Sequence, residues 1–540
     1  MGTKGFDCIV IGAGHNGLVT AAYLAKAGKR VCVLERRHVL GGCSTTEELW
    51  PGFHVSTASY VISLFLPQII SDLKLKEHGL KILPRNPSSF TPTREGKYLL
   101  LGPDTKKNQE SISQFSARDA ERYPAYEELL ERVAEVIEPI LSETAPQLLP
   151  IPKSQRKIGL ARKMSDAKKS YGMFQALQKL GSELPDAIEL LTGAARPILE
   201  RWFESDVLRA TLATDAVIGA FASISSPGTA YVLMHHVMGE AGGARGVWGY
   251  VQGGMGGLAQ ALANSCEELG VEIRREASVQ SIDVNQGVVQ GVTLENGESI
   301  EGASVASSVD AHLTFEVLVD GKELPDEFRE SISKIDYSSA SAKINLALDE
   351  PPNFLCCPGV EVGPQHRGTI HIGESIDVVE KAYDDAKYGR PSQTPILEIT
   401  MPTSVDKTIA PEGKHILSMF VQYAPYDLRG PETWDDLKEG FADRCVEVLA
   451  EYAPNVPDAI LHRQVLSPLD LERVYGLTGG NIMQGAMNFN QLFLMRPVLG
   501  WADHRSPIKH LYLVGAASHP GGGVMGACGR NAAVEILRDL

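Results

Sequence analysis

No C-x-x-C pair, no zinc-finger spacing and no H-E-x-x-H occurs in this chain, although it holds eight cysteines and 14 histidines. These absences exclude a dithiol redox centre and the commoner zinc sites, so no metal is expected. The adjacent Cys356 and Cys357 read as two packed or loop thiols rather than a strained disulfide, and the remaining thiols as buried groups in a reducing compartment. Long apolar runs are also missing: the longest candidate, residues 60–70, is too short to span a bilayer and is broken by Pro67. Positive charge is scarce, with 51 Lys and Arg against 67 Asp and Glu and a net charge of -16, which argues against nucleic-acid partners. With 43% hydrophobic and 22% charged residues the composition is that of a soluble globular protein. A length of 540 residues asks for about two to three domains. The first strand starts close behind Met1 and leaves no room for a signal or transit peptide, so a cytoplasmic bacterial protein is the expectation.

What is present is concentrated in residues 6–42. Cys8-Ile9-Val10-Ile11 reads as a buried parallel strand, and Gly12, Gly14 and Gly17 follow it directly as G-x-G-x-x-G at the start of a helix. Gly12 permits the tight turn, Gly14 lets the backbone approach a diphosphate, and Gly17 lets the helix pack on the strand. Helix N-terminal amides then face the phosphates, so Ile11, Gly12, Ala13, Gly14, His15, Asn16 and Gly17 form one wall of a nucleotide site. Residues 30–34 supply the next strand and bring Leu34 and Glu35 to its end, where a carboxylate accepts both hydroxyls of an adenosine ribose and repels a 2′-phosphate. Up to this point NAD and FAD fit equally well. Glu35, Arg36 and Arg37 followed by Gly41 and Gly42 resemble the E-R-x(4)-GG extension of flavoproteins of the glutathione-reductase structural class, which carries the chain past the flavin diphosphate.

Two distant segments complete the pattern. Residues 253–284 read as a glycine-rich turn, a helix and a strand leading into a β-meander over residues 278–294. Residues 511–540 read as strand, glycine-rich loop and helix. Gly521, Gly523 and Gly526 repeat the G-x-G-x-x-G spacing, but no second strand or acid follows, so this is not a nicotinamide site. The loop, with Gly515, Gly522, Gly523 and Val524, is expected to pass a flavin ring while the helix starting near Gly526 points its amides at it. The fold class that follows is α/β: a discontinuous, Rossmann-like FAD domain of the glutathione-reductase type over 1–72, 246–325 and 500–540. An α+β substrate domain with a helical cap would occupy 73–245 and 326–499, helical over 118–141 and 174–233 and strand-like over 79–101 and 339–399. Residues 153–169 are rich in Lys and Arg with apolar residues interleaved. That stretch reads either as a solvated face or as contact with an anionic membrane surface.

The strings GAGHNGL, ERRHVLGG, RNPSSFTP (85–92), GLTGGNI (476–482), MNFNQLFLMRP (487–497) and HPGGGVMGACGRNAA (519–533) resemble the phytoene desaturase and amine oxidase group of FAD flavoproteins over essentially the full length. The resemblance implies an oxidoreductase taking a hydride from a largely apolar small molecule onto flavin N5, with oxygen or a quinone as electron acceptor. It places Val279 beside the adenine and Ser56, Ser59 and Tyr60 in a segment that approaches the flavin. In animal relatives it implies a mitochondrial matrix or inner-membrane-face location. Carotenoid desaturation or isomerisation is the alternative within enzymes, and a flavin-bearing interaction protein without turnover is the alternative outside them. His519, which precedes the glycine loop, is a candidate proton carrier or a loop histidine bonded to backbone. Arg496 is a candidate partner for an acidic substrate group or the flavin edge, or a structural ion pair. His235 and His236 are candidates for lining a substrate tunnel.

Overall fold

Four of the short apolar runs, Cys8–Ile11, Val31–Leu34, Val305–Ser307 and Leu511–Leu513, are buried along their whole length. Strands without a wet face belong in a parallel sheet covered on both sides. The computed structural model describes residues 5–147, 159–241 and 244–540. In it these four strands and Glu272–Arg274 form a parallel sheet, in the order Glu272–Arg274, Val31–Leu34, Cys8–Ile11, Val305–Ser307, Leu511–Leu513. Helices His15–Lys26, Gly256–Glu268 and Ala527–Asp539 pack together on one face. Their contact is tight because it is made of glycine and small side chains: a Cβ on Gly529 would stand 2.2 Å from the Asn16 carbonyl oxygen. The three expected remote segments thus share one sheet. A meander is present as Val279–Asn285, Val288–Leu294 and Ser299–Glu301, while the strand expected at 271–273 joins the parallel sheet as Glu272–Arg274 instead.

The second sheet has seven strands, in the order Ile460–Leu466, Ser341–Leu348, His415–Gln422, Ile396–Thr400, Thr369–Ile372, Ser89–Pro92, Tyr98–Leu101. All neighbours are antiparallel except Thr369–Ile372 beside Ser89–Pro92. One face is largely apolar, with Ile344, Met419, Ile399, Ile370 and Phe90 packed with Trp434 and Phe441 of helix Trp434–Ala450, and Arg463 on the edge strand paired with Glu439 and Asp443 of that helix. The strand-like expectation for 339–399 holds at Ser341–Leu348, Thr369–Ile372 and the start of Ile396–Thr400; residues 349–368 are loop with a 3-10 turn, and Ile376–Ala386 is a helix whose N-cap Ser375 accepts the Val378 N–H. That helix is amphipathic, with Ile376, Val379 and Ala382 buried, a 3.6-residue period that a strand cannot use.

Over the other face lie helices Ala117–Leu141, Asp206–Asp215 and Thr229–Val237, with Leu160–Gln178, Leu184–Thr192 and Ala195–Trp202 around them. Asp119, fully buried, accepts the Glu204 and Ser205 N–H groups at 2.8–3.1 Å and ties two helix starts together. Part of the basic stretch 153–169 lies outside the described residues. From its remainder, Arg162 pairs with Asp166 and Glu535, and Lys169 donates to the Thr144 carbonyl, while Leu160 and Met164 are exposed. Among the described residues no helix is long and apolar enough to cross a membrane.

Candidate functional site

A cavity of about 890 Å³ runs from the N-terminal glycine turn to the polar face of the seven-stranded sheet. At its first end Gly12 turns with φ +90°, and Gly14 caps helix His15–Lys26 with extended backbone. A Cβ on Gly17 would come to 2.1 Å from the Gly12 carbonyl oxygen, so only glycine lets the helix sit this close to the turn. Gly41 donates its N–H to Ala13 at 2.9 Å, which folds the second glycine pair against the first. Glu35 is 6% exposed, and its two oxygens accept the Ala13 and Arg37 N–H groups, both at 2.9 Å. Each oxygen keeps a lone pair for a further donor in the cavity. Val279 faces the same space, and so do Gly523 and Val524 of the C-terminal loop. His15 meets the Gly523 backbone, and burial pushes its imidazole down to about 4. The first and last segments of the chain therefore close on one another around the cavity. Of the cradle residues expected from sequence, Ala13, Gly17, Gly515 and Gly522 stand behind the lining and the rest form it. Gly515 and Gly522 let loops approach: a Cβ there would stand 2.3 Å from the Ser308 carbonyl oxygen and 2.4 Å from Met483 Sδ.

At the other end the sheet presents one row of side chains in direct cross-strand register. Lys343 pairs with Phe420, Phe420 with Glu398, and Glu398 with His371. One strand further, Thr369 pairs with Ser89. All six line the cavity. Tyr60 donates its hydroxyl to Glu398 Oε1 at 2.7 Å, and Lys343 Nζ sits 3.6 Å from the Tyr60 ring centroid. Lys343 Nζ and Glu398 Oε2 are buried without a hydrogen-bond partner. Helices supply the opposite wall with Tyr123, Thr211, Asp215, His235 and His236.

Burial governs the charges here. It holds the Lys343 ammonium well below the usual lysine range against the pull of Glu398, and the attraction of the Tyr60 ring is too small to restore it. Burial, and then the negative charge of Asp215, raise Glu398. Asp215 is pushed up to about 7 by burial, with Arg85 opposing. Burial and Arg85 together hold His371 down at about 3. Burial thus disfavours the charged forms of Lys343, Glu398 and Asp215 alike, and such groups side by side suit proton exchange.

The family model described as flavin-containing amine oxidoreductase matches residues 17–537. The chain belongs to that family. It is 46% identical to the rat protein called pyridine nucleotide-disulfide oxidoreductase domain-containing protein 2, over 99% of this chain and 94% of that one. Phytoene desaturase of Fusarium fujikuroi is 23% identical over 98% of this chain and 89% of its own. Among solved structures, an oxidoreductase from Methanosarcina mazei shares the fold with a TM-score of 0.57 and 18% identity, covering 98% of this chain and 99% of that one. The cavity combines a glycine-lined groove with a further space beyond it, and all eight cysteines are free.

Both residues singled out from sequence as catalytic candidates lie away from the cavity lining. Arg496 is 2% exposed, and its guanidinium is spent on backbone carbonyls: Ala516 at 2.9 Å, Met483 at 2.5 Å, and Ala486 and Gln491 at 3.2 Å. It braces the 483–491 loop against the C-terminal loop, and no donor is left for a substrate. Replacing Arg496 with methionine should strand these carbonyls and lower stability by about 3–5 kcal/mol, read by thermal unfolding; an unchanged melt would contradict the bracing role. His519 is fully buried against Phe493 with neither ring nitrogen hydrogen-bonded, and burial first, then His504, hold it at about 3. It is a neutral packing group. His235 and His236 do line the cavity, as do Ser59 and Tyr60, while Ser56 accepts the Met255 N–H at 2.9 Å and positions the helix after it. Among the described residues no group of His, Cys, Asp or Glu is arranged to hold a metal.

Lys343, Glu398, His371 and Arg85 were missed by sequence reasoning. A signal existed: T-I-H-I, I-L-E-I-T and S-A-K-I-N-L-A-L are buried strands that each carry a single ionisable side chain in an otherwise uncharged run. A charge in a fully buried strand is costly unless it has work to do.

Proposed function

We propose that this protein binds FAD and oxidises a small, largely apolar organic molecule by hydride transfer from a substrate carbon to flavin N5. The observation that supports this most is the continuity of one cavity between the Gly12–Glu35–Val279 cradle and the Lys343–Glu398 row. The amides of residues 14–16 would hold the diphosphate, Glu35 the ribose, the Val279 strand the adenine, and Gly523 and Val524 would lie along the ring. Bound there, the flavin supplies a two-electron acceptor that the protein's own side chains lack. The chain's own residues do the rest. Leu64, Leu130, Leu212, Leu233 and Phe420 wall the substrate from water. Lys343 Nζ, buried without a hydrogen-bond partner, is placed to take a proton from a substrate heteroatom, and the Tyr60–Glu398 pair passes it on. Electrons would leave to oxygen or a quinone.

A hydrocarbon polyene would leave the ionisable row unpaired, which disfavours the carotenoid desaturase and isomerase readings. A flavin protein without turnover would have no use for an enclosed chamber of this volume. The purified protein should be yellow and release FAD on heating, and Gly17→Val, with its Cβ driven into the Gly12 carbonyl, should be folded and colourless. A wild-type protein that is colourless and takes up NAD instead would sink the proposal.

A further inference from the structure

We infer that Arg85 is a carboxylate-binding residue and that the substrate is an organic acid whose apolar body lies between the sheet row and the helices. This rests on the reading of the cavity as the site of an oxidoreductase, and it names the substrate class.

Arg85 lines the cavity and is 3% exposed. Its Nη1 donates to a neutral hydroxyl, Thr369 Oγ1, at 2.7 Å, and its Nε has no partner. Among the described residues no carboxylate oxygen lies within 4.0 Å of its nitrogens. Asp215, Glu398 and His371 all feel its charge, so it stands at the polar row without being neutralised by it. The Tyr250 ring, 5.7 Å from the guanidinium carbon, holds one face of the plane. Across the strand pair from Thr369, Ser89 also keeps a buried hydroxyl without a partner.

A guanidinium keeps its charge in proteins, and burying it unpaired is expensive. Such a group persists where a ligand completes it, and a planar two-donor fork is the best available match for a carboxylate. Burial disfavours the charge of Lys343, the second cationic side chain in the row, whereas a guanidinium keeps its own, so Arg85 is the stronger cation of the row. An ammonium substrate would be repelled by that charge, and an alcohol or hydrocarbon would leave it without a carboxylate partner. The leucine-rich wall across from the row accepts the rest of the molecule.

The test uses the flavin-loaded protein and two matched probe pairs, octanoate against octan-1-ol and benzoate against benzyl alcohol, with binding followed by calorimetry. At least one acid should bind tenfold or more tighter than its alcohol. Arg85→Gln should remove that preference, and Arg85→Lys, which keeps the charge but not the fork, should keep part of it. Visible absorbance of each variant establishes that the flavin and the fold are retained, and Thr369→Val, which frees Nη1 of its hydroxyl acceptor but leaves the charge, should retain the acid preference if Arg85→Gln does not fold. If neither acid binds, or the preference survives in Arg85→Gln, the inference is overturned. A yellow protein that ignores both acids overturns the carboxylate site alone, whereas a colourless protein overturns the oxidoreductase reading beneath it.

Discussion

Lys343→Met is expected to raise the melting temperature and, in the same molecule, to cut substrate-driven flavin reduction by about 10²–10⁴-fold. The two effects share one cause. Lys343 Nζ is buried without a hydrogen-bond partner at one end of the row, 3.6 Å from the Tyr60 ring, in a strand whose other members are uncharged. Nearly the same volume without the amine removes a polar group buried at a cost of roughly 1–3 kcal/mol. The gain in stability is a scanning-calorimetry measurement and needs no substrate. The loss in rate is an anaerobic stopped-flow measurement with whichever acid reduces the wild-type flavin fastest. A variant that is less stable, or that is reduced at the wild-type rate, would mean that Lys343 is an ordinary part of the core.

Acidification should unfold the protein well above the pH at which surface carboxylates titrate. Five buried imidazoles are held neutral by burial: His15 and His504 at about 4, and His235, His371 and His519 at about 3. In the unfolded chain each protonates near 6.5, so below that pH the unfolded state binds five more protons at these sites. Asp215 and Glu127, both raised to about 7, act in the opposite sense, because the folded chain protonates them first. His236, lowered, and Glu398, raised, offset one another. The balance of these groups is about three protons, a slope of roughly 4 kcal/mol per pH unit lost below pH 6.5; the lowered His366, His415 and His510 add to the loss and the raised Asp310 opposes it. By pH 5 the loss is roughly 6 kcal/mol, comparable with the about 5–15 kcal/mol by which domains are stable, so the melting temperature should fall steeply. Thermal melts followed by circular dichroism at pH 7, 6 and 5 measure this. A melting temperature that holds steady from pH 7 to 5 would contradict it.

The dinucleotide cradle was legible in residues 6–42 because its chemistry is local. A strand, three glycines at fixed spacing and an acid at the next strand's end are set by backbone sterics within one βαβ unit. The Val279 meander and the Gly523 loop were legible for the same reason, as glycine-marked turns between periodic runs. Arg496 and His519 misled because a polar residue near a glycine loop looks the same in sequence whether it faces the cavity or the backbone beside it. Only the direction of the side chain separates a bracing arginine from a binding one.

By itself, the sequence determined the α/β class, the glycine cradle and the convergence of both chain ends on one nucleotide groove. The tertiary structure alone decided the composition of the chamber beyond that groove. Lys343, Phe420, Glu398, His371 and Ser89 come from five strands and meet only through sheet register. A slip of one residue would turn any of them to the apolar face, and register between remote strands is fixed by packing across the whole core rather than by any local pattern.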